Sequence, residues 1–182
     1  MVKILGFSGS IRKNSYNSAL LKTAKELLPD GCAMDIFSLR RIPLYDDDLA
    51  RGELTKPAHA FRSAIDTADG LLIACPEYNY SISGVLKNAL DWASTDTLSN
   101  LLAGKPTAIM GASRTIFGTA RAQLHLRQVL TAANAPVVRK PEVFVLRAQN
   151  LFGKDGELTD LRTREKMQAL LSALEELIRL SL

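Results

Sequence analysis

The sequence has few of the residues that build metal sites and thiol redox centres. Its 182 residues include two cysteines, Cys32 and Cys75, and two histidines, and none of them stands at a metal-ligand spacing. Cys75 ends an apolar run, which is typical of a small buried hydrophobic residue rather than a nucleophile. We therefore expect neither a metal site nor a reactive thiol.

Long apolar runs and targeting patterns are also missing from the sequence. No apolar run approaches the ~20 residues that cross a bilayer, and the chain opens on a strand pattern without the flanks of a signal peptide. The net charge of +4 is mild, and the basic residues are scattered rather than gathered into a stripe that would bind nucleic acid. We therefore expect neither a membrane nor a nucleic-acid partner, and we expect the protein in the cytoplasm.

What the sequence does contain is a regular alternation of strand and helix patterns. Apolar strand patterns occupy residues 2–7, 32–39, 70–75, 105–112 and 141–146. Amphipathic helix patterns occupy residues 15–28, 57–68, 84–94, 118–133 and 159–180. Between them, "RIPLYDDDL" is interpreted as a polar turn region, whose acidic triplet could bind a cation but is more simply a solvated loop.

This alternation predicts one α/β domain over residues 1–182, because no repeat or low-complexity linker interrupts it. We expect a flavodoxin-like, doubly wound, five-stranded parallel sheet of order 2-1-3-4-5. Ligands of such sheets bind at the carboxyl ends of the strands, beside the first strand. The loops after strands 1, 3 and 4 are therefore the candidate site.

The loop after the first strand, "GFSGSIRKNSYN", is rich in hydrogen-bond donors. It has neither the G-x-G-x-x-G of dinucleotide folds nor the G-x-x-x-x-G-K-[ST] of P-loops. Ser10, Ser15 and Asn17 offer side-chain donors, Arg12 offers a guanidinium, and a helix starting near Ser15 adds free N–H groups. The combination predicts a cradle for one phosphate monoester, unless Ser15 merely caps the helix and the basic residues are solvated.

The loop after the third strand, "PEYNYS", could hold a planar ring. Pro76 turns the chain, Tyr78 and Tyr80 offer aromatic faces, and Glu77 and Asn79 offer polar contacts. A planar, mostly apolar heterocycle would fit such a surface, although a turn with surface tyrosines is the alternative.

The loop after the fourth strand, "SRTIFGTAR", would close the far side of the pocket. Ser113 stands at the strand end, and Gly118 precedes the next helix. Arg114 and Arg121 could meet a second, anionic ligand, although each could also be a solvated surface charge.

Three segments together, "GSIRKNSYN", "PEYNYSISGVLKNALDW" and "AGKPTAIMGAS", resemble the NADPH-dependent FMN reductase family, and the similarity runs from about residue 3 to residue 146. That family includes quinone, chromate, ferric and azo-dye reductases. By this resemblance the first loop would hold the FMN phosphate, and the second would lie along the ribityl chain and isoalloxazine, largely through backbone groups. The implied FMN-binding residues are Ser10, Arg12, Ser15, Tyr16, Asn17, Pro76, Glu77, Tyr78, Asn79, Tyr80 and Ser113.

The resemblance also implies an activity. Hydride would pass from NADPH or NADH to FMN and then to a small-molecule acceptor (a quinone, chromate, ferric, azo or free-flavin compound) in a ping-pong cycle. No side chain is assigned a catalytic role, and Arg114 and Arg121 are candidates for contact with the NADPH 2′-phosphate. A homodimer or a pair of dimers is implied, with the helix around residues 87–92 near a dimer contact.

Two other functions fit the same pattern, and two positions depart from the family. A flavodoxin-type electron carrier would bind FMN without using pyridine nucleotides, and a regulatory module would keep the fold without catalysis. Family members often carry glycines after Ser113, whereas this chain has the bulkier residues 114–117, which are expected to narrow the entrance. Ser83 stands where proline is frequent.

Overall fold

The computed structural model of the protein describes residues 1–95 and 97–181. Within them, one parallel sheet has the order β2-β1-β3-β4-β5, which confirms the predicted flavodoxin-like fold. Its strands are β1 (Val2–Ser8), β2 (Cys32–Phe37), β3 (Gly70–Ala74), β4 (Thr107–Ala112) and β5 (Val143–Val145). The prediction of a single domain over residues 1–182 includes residue 182, which lies outside the described residues. The single domain therefore stays a prediction.

Helices cover both faces of this sheet. They are α1 (Tyr16–Glu26), α2 (Asp47–Arg51), α3 (Lys56–Asp66), α4 (Gly84–Ser94), α5 (Ala120–Ala132) and α6 (Leu161–Arg179). Helices α1 and α6 bury their apolar residues with one face of the sheet, and α3, α4 and α5 bury theirs with the other. Because both faces are covered, the central strands are nearly continuous apolar runs. No described helix is both long enough and apolar enough to cross a membrane.

The predicted element bounds differ from the structure mainly at their ends. The helix predicted over 84–94 matches α4. The helix predicted over 15–28 is shorter, because Ser15 is the N-cap of α1 and Leu27 is its C-cap. The strand predicted over 32–39 ends at Phe37, where the chain turns into a single 3₁₀ turn at Leu39–Arg41.

The interpretation of residues 41–49 as a polar turn region is wrong for its acidic end. Asp46 caps α2 by accepting the Asp48 N–H at 2.9 Å, and Asp47 and Asp48 lie in the first helical turn. Carboxylates are favoured there by the free N–H groups and the helix dipole. Hydrogen bonds from Thr97, then Arg51 and Tyr45, lower the pKa of Asp47. No group of three or more metal-ligating residues occurs in the part of the chain that the structure describes.

Candidate functional site

Three loops meet at the carboxyl edge of the sheet, as predicted. We name them the first loop (residues 9–15), the second loop (75–83) and the third loop (113–119). The chain leaves β1 for α1 on one face of the sheet and leaves β3 for α4 on the other, while β1 and β3 themselves are hydrogen-bonded neighbours. This is the topological switch point, where ligands of doubly wound sheets bind.

The first and second loops touch each other directly. The Gly9 N–H donates to the Ala74 carbonyl at 3.0 Å, and the Ser83 hydroxyl donates to the Gly9 carbonyl at 2.7 Å. A Cβ at residue 9 would lie 2.8 Å from Cδ of Pro76 and 2.9 Å from Cβ of Leu86. Only glycine therefore allows the two loops to come this close.

Ser83 helps to hold the first and second loops together, although in the sequence it was noted only as a departure from the family pattern. Its hydroxyl also accepts the Leu86 N–H at 3.1 Å and so caps α4. Serine directly before a helical pattern is a known cap signal, so the capping role was visible in the sequence. The bond to Gly9 was not, because it joins residues 74 positions apart.

The first loop presents donors that the protein leaves free. Ser10 is buried, and its hydroxyl has no partner among the residues that the structure covers. The Ser15 oxygen accepts the Ser18 N–H at 3.4 Å, which leaves the hydroxyl hydrogen available. The N–H groups of Tyr16 and Asn17, in the first turn of α1, likewise have no acceptor in the described chain.

The side chain of Asn17 has a structural contact that the sequence did not predict. Its amide nitrogen donates to the Ala112 carbonyl and its amide oxygen accepts the Ala112 N–H, both at 3.0 Å. The buried amide thus ties α1 to the end of β4, 95 residues away. Its backbone N–H and its second amide hydrogen remain for a ligand.

Arg12 is exposed, and its guanidinium lies 5.7 Å from the centre of the Tyr16 ring. No carboxylate among the described residues pairs with it. From the other side, the Arg40 guanidinium donates to the Ile11 carbonyl and supports the loop. Arg12 therefore brings an uncompensated positive charge to the free donors of the first loop.

The second loop contains a tight turn that displays its tyrosines. Tyr78 and Ser81 exchange two backbone hydrogen bonds of 2.9 and 3.0 Å. Asn79 and Tyr80 between them have φ of 48° and 69°, the positive values that mark a type I′ turn. Tyr78 is 51% exposed and Tyr80 67%. The N–H groups of the two central residues have no acceptor in the described chain, so free backbone donors lie beside exposed ring faces.

The Glu77 carboxylate is used inside the protein. It forms an ion pair with Arg121, whose Nε donates to it at 2.6 Å, and it accepts the N–H groups of Arg121 and Ala122 at 3.2 and 3.4 Å. These N–H groups belong to the first turn of α5. The carboxylate oxygens thus serve the start of this helix, while the contact of Glu77 with a ligand, expected largely through its backbone, stays a prediction.

The two arginines predicted for a second anionic ligand differ in their surroundings. Arg121 is neutralised by Glu77, and its guanidinium lies between the rings of Tyr80 and Phe117. Arg114 is exposed and has no ion pair within the described residues. Of the two, Arg114 alone keeps an uncompensated charge.

The third loop is braced by short-range hydrogen bonds. The Ser113 hydroxyl accepts the Thr115 N–H at 3.0 Å and lies 2.8 Å from the Thr115 hydroxyl. The Thr115 carbonyl accepts the Arg147 N–H at 3.0 Å, which attaches the loop to the chain after β5. Ser113 is therefore held at the edge of the site where it was predicted.

Cys75 opens the second loop but is unsuited to nucleophilic chemistry. It is fully buried, and burial, followed by the nearby charge of Glu77, raises the pKa of its thiol. The arrangement thus supplies donors, aromatic faces and one exposed guanidinium on each side. Groups of these kinds are suited to binding and orienting a ligand.

Fold and candidate site together define a flavodoxin-like protein with free hydrogen-bond donors and exposed aromatic rings at the carboxyl edge of its sheet. The family model for NADPH-dependent FMN reductases matches residues 2–150. The chain belongs to this family, which confirms the resemblance seen in the sequence. It is an oxidoreductase whose cofactor is FMN and whose reductant is NAD(P)H.

Named relatives extend over nearly the whole chain. An NAD(P)H-dependent FMN reductase of Pseudomonas aeruginosa is 47% identical, over 98% of this chain and 96% of its own length. An NAD(P)H:quinone oxidoreductase of Solanum tuberosum is 40% identical, over 97% and 93%. The structure of FerB, a flavoenzyme NAD(P)H:(acceptor) oxidoreductase from Paracoccus denitrificans, superposes with a TM-score of 0.89 at 29% identity, covering 98% of both chains.

Proposed function

We propose that the protein passes hydride from NAD(P)H to FMN and then to a quinone in a ping-pong cycle. One observation carries the proposal. At one edge of the sheet, a loop with free hydrogen-bond donors that suit a phosphate meets a turn with free backbone amides and exposed aromatic rings. Relatives named as quinone oxidoreductases and as a 2-hydroxy-1,4-benzoquinone reductase support a quinone as the acceptor. Chromate, ferric, azo and free-flavin compounds are further acceptors under the same proposal.

The first loop fits the phosphate of FMN. The free hydroxyls of Ser10 and Ser15, the N–H groups of Tyr16 and Asn17, and the Arg12 guanidinium would hold it. Charge-assisted hydrogen bonds of this kind, aided by the start of a helix, suit a dianionic phosphate monoester.

The second and third loops fit the ribityl chain and the ring. Buried Pro76 fixes the exit of β3, and Glu77 fixes the loop to α5. The N–H groups of Asn79 and Tyr80, which have no acceptor in the described chain, would polarise the carbonyl edge of a ring lying along the turn. Tyr78 adds an exposed aromatic face, and Ser113 closes the third side.

When bound, FMN would accept hydride at N5 from C4 of the nicotinamide and deliver it to the acceptor. The chain contributes binding, orientation and electrostatics to this chemistry. Exposed Arg114 is the cation proposed to attract the NADPH 2′-phosphate.

We also propose that the protein works as a homodimer or a pair of dimers in the cytoplasm, where NAD(P)H is supplied. Its support is a set of large, exposed apolar side chains in the second and third loops, on α5 and after β5, since exposed apolar surface marks interaction sites. We call this set the apolar patch: Tyr78, Tyr80, Ile116, Phe117, Leu124 and Leu146.

Steady-state kinetics tests the proposal. Purified protein reconstituted with FMN should oxidise NADPH with a benzoquinone, and double-reciprocal plots at several quinone concentrations should be parallel. A yellow protein that is inert toward NADPH and NADH would instead be a flavodoxin-type carrier. A protein that takes up no FMN would be a regulatory module.

A further inference from the structure

Arg121, to which the proposed function gives no role, forms a cluster with Glu77, Tyr80 and Phe117; we call it the Arg121 stack. We infer that Arg121 is a positioning residue that fixes the acceptor-side wall of the flavin site. The inference rests on the proposed function, because the wall is defined relative to that site. Arg121 acts through the two rings rather than as a charge offered to a substrate.

The geometry of the stack is that of a cation between two aromatic faces. The guanidinium carbon of Arg121 lies 3.7 Å from the centre of the Tyr80 ring and 4.0 Å from that of Phe117. Both distances are well inside the ~6 Å range of cation–π attraction. Tyr80 belongs to the second loop and Phe117 to the third, so one side chain on α5 joins two of the three site loops.

The guanidinium is itself held from behind. Glu77 pairs with it and accepts two N–H groups from the first turn of α5. The carboxyl side chain of Glu77 is 7% exposed and that of Arg121 28%. An ion pair with this support at a helix start keeps the guanidinium plane in one orientation. Because the pair is neutral, it attracts an anionic ligand less than a free arginine would.

The two rings depend on this support. Tyr80 is 67% exposed and Phe117 47%, so little packing fixes either ring from outside. Exposed side chains on loops move among several rotamers unless a contact selects one. By selecting one, Arg121 presents a preformed surface to an incoming planar acceptor, which lowers the entropy lost on binding.

Arg121→Ala and Arg121→Lys variants, measured with a benzoquinone acceptor, test the inference. Lysine keeps the charge but lacks the planar guanidinium that contacts the two rings. Both variants should therefore raise the KM for quinone by roughly three- to tenfold, the size expected from one lost cation–π contact. The kcat and the Kd for FMN should change less than about twofold on the same basis. Arg139→Ala, which changes an exposed arginine in the segment between Val137 and β5, should leave every parameter unchanged.

Two results with single variants would overturn the inference. One is an Arg121→Lys variant with the wild-type KM for quinone. The other is an Arg121→Ala variant that loses affinity for NADPH but not for NADH, since Arg121 would then act as a cation for the 2′-phosphate. In a Tyr80→Leu, Phe117→Leu background, Arg121→Ala should no longer raise the KM for quinone, and a full additive effect would also contradict the inference.

Failure of the proposed function would be seen separately, in the wild type. If wild-type protein with FMN oxidises no NAD(P)H, urea unfolding of the same variants still tests the stack. Arg121→Ala and Tyr80→Leu should then lower the unfolding midpoint by less together than the sum of their separate effects. Additive losses would show that the two side chains do not act on each other.

Discussion

At the scale of single residues, Arg12 is one of two exposed cations in the first loop, beside Lys13. The hydroxyls and N–H groups around it are neutral donors, which favour an anion over a neutral ligand less strongly than a guanidinium does. Arg12 adds a guanidinium with no carboxylate partner among the described residues. Selectivity for a phosphate should therefore depend on this side chain more than on any one hydroxyl.

We expect Arg12→Ala to weaken FMN binding by about 1.5–3 kcal/mol, the range for a hydrogen bond to a charged group. Riboflavin, which lacks the phosphate, should bind almost as it does to the wild type. Fluorescence titration of the apoprotein with both ligands measures the difference, and Arg139→Ala is the matched control. Equal losses for FMN and riboflavin would show that Arg12 shapes the loop instead of binding phosphate.

The sequence predicted the residue types of the site better than their partners. Ser10, Arg12 and Ser15 are predicted as phosphate ligands because their donors lie within one short loop, and this assignment stays a prediction. The bonds of Asn17 to Ala112 and of Glu77 to Arg121 join residues 95 and 44 positions apart. Such pairs form only when parallel strands bring distant loops to one edge, so the local sequence carries no sign of them.

At the scale of elements, the long C-terminal helix α6 depends on its cap. Asp160 accepts the Thr163 N–H at 2.8 Å and the Thr163 hydroxyl at 2.6 Å. The side-chain bond first, and then the backbone bond, lower the pKa of Asp160. The helix behind the cap buries Leu170, Leu174 and Ile178 against the sheet. A weaker cap should therefore loosen one face of the core.

We expect Asp160→Ala to lower the free energy of unfolding by about 0.5–2 kcal/mol at neutral pH, as for other N-caps. The pKa of Asp160 in the folded protein lies below its unfolded value of about 3.9. The charged cap therefore contributes its full stabilisation to the folded state at pH values above the unfolded pKa. Its contribution disappears as the pH falls through the lower, folded pKa. Urea unfolding from neutral pH into this acid range measures the effect.

Asp160→Asn provides the control for this pH dependence, since asparagine caps a helix without titrating. Its unfolding free energy should fall less steeply in acid than that of the wild type. Asp155→Asn, in an exposed turn, should keep the wild-type slope. If the unfolding free energy of Asp160→Asn fell with pH as steeply as that of the wild type, ionisation of the cap would not explain the loss of stability in acid.

Close packing of β4 against α5 depends on Gly111. A Cβ there would lie 2.1 Å from Oγ1 of Thr119 and 2.4 Å from the Cys75 carbonyl oxygen. We expect Gly111→Ala to destabilise the protein by at least about 1–3 kcal/mol through overpacking, as read from urea unfolding. Gly84→Ala, at the start of α4, meets nothing within 4 Å and should be neutral or stabilising. Similar losses in both variants would argue against the steric account.

Elements with a strong local signal were predicted best. Helix α4 was assigned correctly because an apolar periodicity follows a serine cap and no breaker interrupts it. Helix α2 was missed because its five residues are too few to show a periodicity. It is held from outside, where Tyr45 contacts Asp47 and Thr95, and that contact was not readable in the sequence.

At the scale of the whole molecule, the apolar patch lies beside the candidate site rather than away from it. Tyr80 and Phe117 belong both to the patch and to the Arg121 stack. Association through this surface would therefore cover part of the site entrance. We therefore expect association of copies to change the shape of the acceptor pocket.

We expect Leu124→Glu to separate the proposed homo-oligomer into smaller species, because a charge replaces a side chain that is 59% exposed in the patch. Light scattering after size exclusion measures the mass. Leu161→Glu makes the same change on α6, outside the patch, and should leave the mass unchanged. A monomeric wild type, or an unchanged mass for Leu124→Glu, would place the interface elsewhere.

The most direct measurement of the proposed chemistry follows its two half-reactions without oxygen. Protein reconstituted with FMN is mixed with NADPH in a stopped-flow instrument, and a benzoquinone is added after the pyridine nucleotide has been consumed. The visible flavin absorbance should be lost in the first step and regained in the second, each at least as fast as steady-state turnover. Flavin that stays oxidised with NADPH, or that is reduced but does not pass its electrons to the quinone, would contradict the account.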